Sequence, residues 1–261
     1  MKRTLIAALP IALPNEIERL FEGAKIYDSS CSPEARVYYI EKGRGYFLKS
    51  APKGTLKKES EMGAYFHKKG LAPSVLFYES GERDLLLTAR AEGEDGTHPS
   101  HLAEPKRLCD AMAEALRALH ETDAKDCPVQ NRMGEYLALA DKNYGEGKFD
   151  LSLFGDQHIF RSAEDAYRTL CAGRSLLKNE VLLHGDYCLP NIMLKDFKVS
   201  SFIDLGNGGV GDRHVDLFWG AWTLGFNLGT DAYRDRFFDA YGRDRVDGDV
   251  LSVIAAAEVF G

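Results

Sequence analysis

The stretch VLLHGDYCLPNIMLKDFKVSSFIDLGNGGVGDRHVD, residues 181–216, narrows what this chain can fold into more than any other. Residues 181–183 form a short apolar run that stops at Gly185, which puts Asp186 on the loop after a strand. Residues 192–194 read as a second strand, Lys195-Asp196-Phe197 as a polar turn and residues 199–203 as the returning strand. In such a hairpin, a residue just before the outgoing strand faces one at the end of the returning strand. Asn191 and Asp204 are therefore expected together at one end, with Asp186 on the adjoining loop. One amide and one carboxylate give oxygen ligands for a hard cation such as Mg2+, which also keeps waters and phosphate oxygens. A second carboxylate can accept the proton of an attacking hydroxyl, or orient it. That is equipment for phosphoryl transfer.

Each piece also has a plainer use. Asp in a Gly-Asp turn often serves its own backbone, and His184 reads as a packed, hydrogen-bonded histidine. The joint pattern is more specific than its parts. Gly206, Gly208 and Gly211 also spell GxGxxG, with Asp231 further on, as a dinucleotide fold would want. After them come Trp219, Trp222 and Phe226 at helical spacing, with too little chain left for a doubly wound sheet.

The net charge of −7 comes with no basic run or arginine-rich stripe, which argues against nucleic acid and for attraction of a cationic small molecule. The 5 cysteines are scattered without a CxxC pair and read as reduced thiols of a cytoplasmic protein. Lys2-Arg3 and the apolar residues 4–13 imitate a signal peptide, but Pro10 and Pro14 bracket the run and no small-x-small cleavage site succeeds it. No stretch approaches the roughly 18 apolar residues of a membrane helix.

After a short helix from Pro14 to Phe21 comes a small-residue loop containing Ser29 to Ser32, which precedes a strand and can offer amides and hydroxyls to phosphate. Residues 37–41 and 46–49 form strands around the turn Lys42-Gly43-Arg44-Gly45, whose glycines serve the turn. Lys49 ends the second strand, and Glu59 lies in the first turn of the next helix. A lysine and a glutamate so placed can pair and hold the ammonium toward nucleotide phosphates. Residues 75–78 and 85–89 are further strands of an N-terminal β-rich lobe. Residues 90–96 read as a hinge, where backbone groups of Ala89 and Ala91 would face an adenine. Residues 105–120 are an amphipathic helix with Pro in its first turn. Residues 133–140, 163–177, 215–228, 233–241 and 250–260 read as further helices. Residues 143–158, with Glu146, Asp150 and Asp156, read as a solvated loop or a substrate lid.

With these residues placed, the sequence resembles the aminoglycoside phosphotransferase family, closest to the 3′-hydroxyl kinases. The likeness rests on His184-Gly185-Asp186 through Asn191, on Phe202-Ile203-Asp204-Leu205-Gly206 and on Asp212-Arg213, with support from residues 111–120 and Asp126-Cys127-Pro128. The resemblance implies an α+β, protein-kinase-like two-lobe fold. Residues 1–90 would form a β-rich N-lobe of five antiparallel strands and one helix, and residues 91–261 a helical C-lobe. It implies ATP and Mg2+, with Asp186 catalytic, Asn191 and Asp204 on the metal, and Lys49 paired to Glu59 on the phosphates. It further implies Ser32 in a phosphate-covering loop, Phe47 stacked on adenine, and Glu258 on the ammonium groups of an aminoglycoside. Asp156 of the 143–158 segment is a further candidate for the substrate. Ala257, Phe226 and Asn227 stand where the family tends to carry acids, and Trp222 and Asn207 where it carries bases. Alternatives are another hydroxyl acceptor, such as choline, an amino-sugar or a metabolite, and a nucleotide-binding pseudokinase.

Overall fold

The computed structural model describes residues 3–31, 35–157 and 159–261. The chain divides into two compact units: the residues up to Glu92 together with Ser200–Gly206, and Gly93–Val199 together with Asn207–Gly261.

The first unit is built on β1 (Thr4–Ile6), α1 (Asn15–Phe21), β2 (Lys25–Asp28), β3 (Arg36–Glu41), β4 (Tyr46–Pro52), α2 (Lys57–Lys68), β5 (Val75–Ser80) and β6 (Arg83–Ala89). The strands form one antiparallel sheet in the order β1-β2-β3-β4-β6-β5. Among the described residues, six strands and two helices thus stand where a lobe of five strands and one helix is expected. Within the apolar run at the N-terminus, Thr4–Ile6 supply edge strand β1, paired through Leu5↔Tyr27. Alternate residues of β4 face opposite sides of the sheet. Leu48 packs with Tyr38, Ile40, Leu85, Leu87 and with Ile17 and Phe21 of α1, so Phe47 and Lys49 point to the other side. Asp84, fully buried on β6, accepts from the backbone N–H groups of Gly54 (2.8 Å) and Leu56 (2.8 Å). It thereby satisfies donors at the start of α2 that a helix end leaves unpaired, and fixes the helix that carries Glu59. Gly45 takes φ +91°, and a Cβ there would meet the Tyr39 ring at 2.9 Å, which is why glycine closes this turn.

The second unit contains β7 (Glu94–Asp95), α3 (Pro99–Leu102), α4 (Pro105–His120), α5 (Arg132–Gly145), α6 (Ala163–Gly173), β8 (Val181–Leu183) and β9 (Ile192–Lys195). The chain then runs through β10 (Lys198–Phe202), within which it passes into the first unit, and returns to β11 (Gly209–Gly211), α7 (His214–Leu228), α8 (Arg234–Tyr241) and α9 (Gly248–Glu258). α4 buries Leu108, Met112, Leu116 and Leu119, the stripe its spacing predicts. α6 opens with Ser162 accepting from the Asp165 N–H at 3.2 Å, the expected cap. α5 runs past its predicted end at Ala140 to Gly145, so half of the expected 143–158 loop is ordered as helix or as a 3-10 turn at Ser152–Gln157. The predicted hinge is not all loop either, because Glu94 and Asp95 pair with Leu194 and Met193. The core joins α5, α6, β8, α7 and α9 through Met133, Leu170, Leu183, Val215, Ile254 and Phe260.

Phe202 closes the excursion into the first unit. Its N–H donates to the Leu71 carbonyl at 2.8 Å and its ring meets Phe66 edge-on. Asp204 therefore belongs to that unit, beyond the predicted boundary at residue 90.

Candidate active site

In the first unit the Lys49 ammonium lies 2.8 Å from Glu59 Oε2 and 3.0 Å from Asp204 Oδ1. The Lys49–Glu59 pair is the one its spacing predicts, and Asp204 is a second partner. Burial works to lower the Lys49 pKa, but the Asp204 and Glu59 carboxylates outweigh it and hold the ammonium above its ordinary range. Burial raises the Glu59 pKa more than Lys49 lowers it. Asp204 comes just after β10 with φ +60°, a left-handed conformation that a residue with a Cβ adopts at a cost. Its side chain is half exposed, at 51%.

Phe47 lies on the same face of β4, its ring 5.2 Å from that of Tyr39. The Arg3 guanidinium sits 3.9 Å from the Tyr39 centroid and 5.9 Å from that of Phe47. At the end of β6 the Ala89 N–H donates to the Ser74 carbonyl at 3.0 Å. Ala89 can thus offer only its carbonyl to a ligand, a narrowing of the sequence reading. Ala91 is buried, and its N–H makes no backbone hydrogen bond among the described residues. Ser32 lies outside the described residues.

In the second unit the catalytic-loop candidates come directly after buried strand β8. Gly185 has φ +84°, and a Cβ there would sit 2.0 Å from the Asn207 carbonyl oxygen, so the turn admits only glycine. Asp216, fully buried on α7, accepts from the backbone N–H groups of His184 (2.8 Å) and Gly185 (2.7 Å). Its Oδ2 also lies 3.1 Å from His120 Nε2, while His120 Nδ1 is 2.8 Å from the Tyr241 hydroxyl. These partners assign the tautomer, with Nε2–H donating to Asp216 and Nδ1 accepting from Tyr241. Burial lowers the His120 pKa against the pull of Asp216, which keeps the ring neutral. The turn before Asp186 is thus clamped from within the core.

Asp186 itself is held by Asn191, at the end of the 3-10 turn Leu189–Asn191. The amide nitrogen of Asn191 donates to the Asp186 carbonyl (3.1 Å) and to its Oδ2 (2.9 Å). With its nitrogen so committed, Asn191 has its amide oxygen left to act as a hard donor. Leu189 N–H donates to Thr223 Oγ1 at 3.1 Å, tying the same turn to α7.

Glu258, on the last turn of α9, is buried. Its Oε1 accepts from the Tyr136 hydroxyl (2.7 Å) and from Trp219 Nε1 (2.9 Å). Burial pushes its pKa up to about 7, and the charge of Asp186 adds to the rise. The side chain of Asp156 lies outside what is described. Trp222 stacks on Phe226, centroids 4.9 Å apart, and donates from Nε1 to the Leu153 carbonyl at 3.1 Å. Both rings line a cleft of about 650 Å3 with Phe154, Phe218 and Phe238.

Sequence reading brings together Lys49 with Glu59 and Asp186 with Asn191. It passes over Asp216, His120, Tyr136 and Trp219. A signal for Asp216 does exist, since an acid one turn into the apolar segment HVDLFWGAW must be buried and must find donors.

Residues 33–251 match the phosphotransferase enzyme family. Over 249 residues, 95% of each chain, the sequence is 50% identical to a Lactococcus lactis protein named probable aminoglycoside 3′-phosphotransferase. The crystal structure of an aminoglycoside-3′-phosphotransferase of type VIII is similar at a TM-score of 0.74 and 23% identity, covering 92% of this chain and 94% of that one. An aminoglycoside phosphotransferase from Streptomyces rimosus, solved with ADP and streptomycin, is similar at a TM-score of 0.69 and 23% identity, over 85% of this chain and 90% of that one.

Proposed function

This chain belongs to the phosphotransferase enzyme family, and on that premise we propose that it transfers the γ-phosphoryl group of ATP to the 3′-hydroxyl of an aminoglycoside, so inactivating the antibiotic. The observation that carries the reading is the hold of Asn191 on Asp186, which fixes a carboxylate in a clamped turn and leaves an amide oxygen for a cation. Asn191 and the half-exposed Asp204 are both hard oxygen donors, so the residues fit Mg2+. Among the described residues no group of three or more His, Cys, Asp or Glu could hold a metal. When bound, magnesium supplies charge neutralisation on the phosphate oxygens.

Asp186 orients the acceptor hydroxyl and takes its proton as the oxygen bonds to the γ-phosphorus and the bond to the β-phosphate oxygen breaks, releasing ADP. Lys49, held by Glu59, balances charge on the phosphate oxygens. Phe47 stacks on the adenine, whose polar edge meets the Ala89 carbonyl and the Ala91 N–H. Glu258 pairs an ammonium group of the acceptor. No helix among the described residues is long and apolar enough to cross a membrane, and a cytoplasmic enzyme has ATP at hand.

A second acceptor class is favoured by one observation. Phe226, 71% exposed and stacked on Trp222, stands where acids are expected, and offers an apolar face rather than charge. The test is a coupled ADP-release assay across aminoglycosides, choline and sugar alcohols. Stimulation by aminoglycosides alone supports the first reading, stimulation by another class replaces it. Asp186→Ala is expected to abolish transfer while nucleotide still binds, and unchanged turnover would remove Asp186 from its role.

A further inference from the structure

Glu258 is a buried carboxylate with no ion pair among the described residues. Arg132, a cationic group that acts on it, donates instead to the Asn207 carbonyl (2.8 Å) and pairs with Glu135 at 3.5 Å. Taking a carboxylate out of water without a counter-charge is costly. Two neutral donors offset part of that cost, and both converge on Oε1 alone: the Tyr136 hydroxyl on α5 and the Trp219 indole N–H on α7. Oε2 accepts no hydrogen bond among the described residues. A Cβ at Gly261 would come within 2.8 Å of it, so glycine at that position keeps a side chain off this oxygen.

From this arrangement we infer that Tyr136 and Trp219 are positioning residues for the acceptor. They commit Oε1, fix the carboxyl plane and leave Oε2 to receive an ammonium group of the incoming aminoglycoside. The inference rests on the reading of Glu258 as an acceptor-binding carboxylate. Its electrostatics point the same way. Asp186, Cys188, Tyr136 and Arg132 are the titratable and charged groups that influence Glu258 or are influenced by it, and Arg132 is the one cation among them. Burial and Glu258 raise the Tyr136 pKa well above its usual value, so its hydroxyl stays a donor. With its own pKa near 7, Glu258 is partly protonated at neutral pH. Seating an ammonium beside it favours the carboxylate, and the carboxyl proton leaves to solvent. Acceptor binding is therefore coupled to proton release, and the KM for acceptor rises as pH falls from 8 to 6.

The test uses the full chain with ATP, Mg2+ and kanamycin. Tyr136→Phe and Trp219→Phe each remove one donor to a charged group, which is expected to raise the KM for kanamycin about tenfold. The kcat and the KM for ATP should stay within about twofold. Losing a donor to the ionised form moves the pH midpoint of the kanamycin KM above that of the unmodified enzyme. The double variant Tyr136→Phe/Glu258→Gln should be no worse than Glu258→Gln, because both act through one carboxyl. If the unmodified enzyme turns over kanamycin and neither single variant moves KM or its pH midpoint, the inference is overturned by itself. So it is if the double variant shows additive losses. If the unmodified enzyme turns over no aminoglycoside, the acceptor assignment falls and takes this inference with it.

Discussion

Replacing Asp216 by Asn tests whether the turn before Asp186 is held by a charge or only by packing. The carboxylate lies fully buried and takes three donors, His184 N–H, Gly185 N–H and His120 Nε2–H, at 2.8, 2.7 and 3.1 Å. Asn is nearly isosteric but has one acceptor oxygen where Asp has two, and its NH2 must then face a donor. At least one charge-assisted hydrogen bond, worth about 1.5–3 kcal/mol, is lost, and a buried N–H is left opposed. The expected loss of stability is about 3–5 kcal/mol, the sum of one lost charge-assisted hydrogen bond and one buried donor left unpaired. A shift of the His184-Gly185 backbone displaces Asp186 directly, and misplacement by about 1 Å costs about 100-fold in rate. Urea unfolding gives the first number and coupled ADP release the second. The KM for ATP should hold within about twofold, because Lys49 and Glu59 belong to the other unit. A variant with full stability and a kcat within about twofold of the parent would refute the clamp.

Gly185→Ala should be worse still, since its Cβ meets backbone at 2.0 Å and φ is +84°. A loss of more than about 4 kcal/mol, or no soluble protein, is expected, and a well-folded active variant would show the turn to be mobile. Glu258 has a folded-state pKa near 7, raised from 4.5. Its contribution is fully present below about pH 4.5 and is lost as pH rises through 7. Glu258→Gln, which cannot ionise, should therefore gain stability relative to the parent by up to about 3 kcal/mol between pH 4.5 and 8. Urea midpoints at the two pH values check this, and a constant difference would refute it.

Local chemistry made much of this legible. α4 was readable to its ends because Pro105 sits at N1 and its apolar stripe repeats at helical spacing. The Lys49–Glu59 pair was readable from a lysine on an apolar strand and a first-turn glutamate 10 residues apart, although the strand runs on past Lys49 to Pro52. Strands β1 and β2 were not readable, because they are short segments, β1 at the sheet edge and β2 beside it, with no alternation of buried and exposed residues to detect. The end of α5 escaped because Asp141 to Gly145 continue the helix without an apolar stripe. The clamp was the least visible part. His120 and Asp216 are 96 residues apart, and the value of each lies in a contact made only once the helices pack. Tyr136 and Glu258, 122 apart, are hidden for the same reason.

Asp204 joins local strain to function in a way that separates stability from activity. It holds φ +60°, although it is not glycine, and it closes β10 beside Lys49. Strain of this kind persists where function requires the side chain. Asp204→Gly removes the strain, which is expected to contribute about 0.5–1 kcal/mol. It also removes an ion pair whose carboxylate is 51% exposed, and such pairs are worth about 0–1 kcal/mol. The net change in stability should be near zero, with Lys49 still paired to Glu59. Asp204→Ala keeps the strained backbone and loses the same ion pair, so it should be less stable than Asp204→Gly by about 1 kcal/mol. Both should lose phosphoryl transfer by about 1,000-fold or more, because neither can offer a carboxylate to a cation. Equal stability of the two variants would show that φ at this position relaxes freely. Turnover by either near the parent rate would show that the carboxylate is dispensable, and that the conformation serves the fold rather than the reaction.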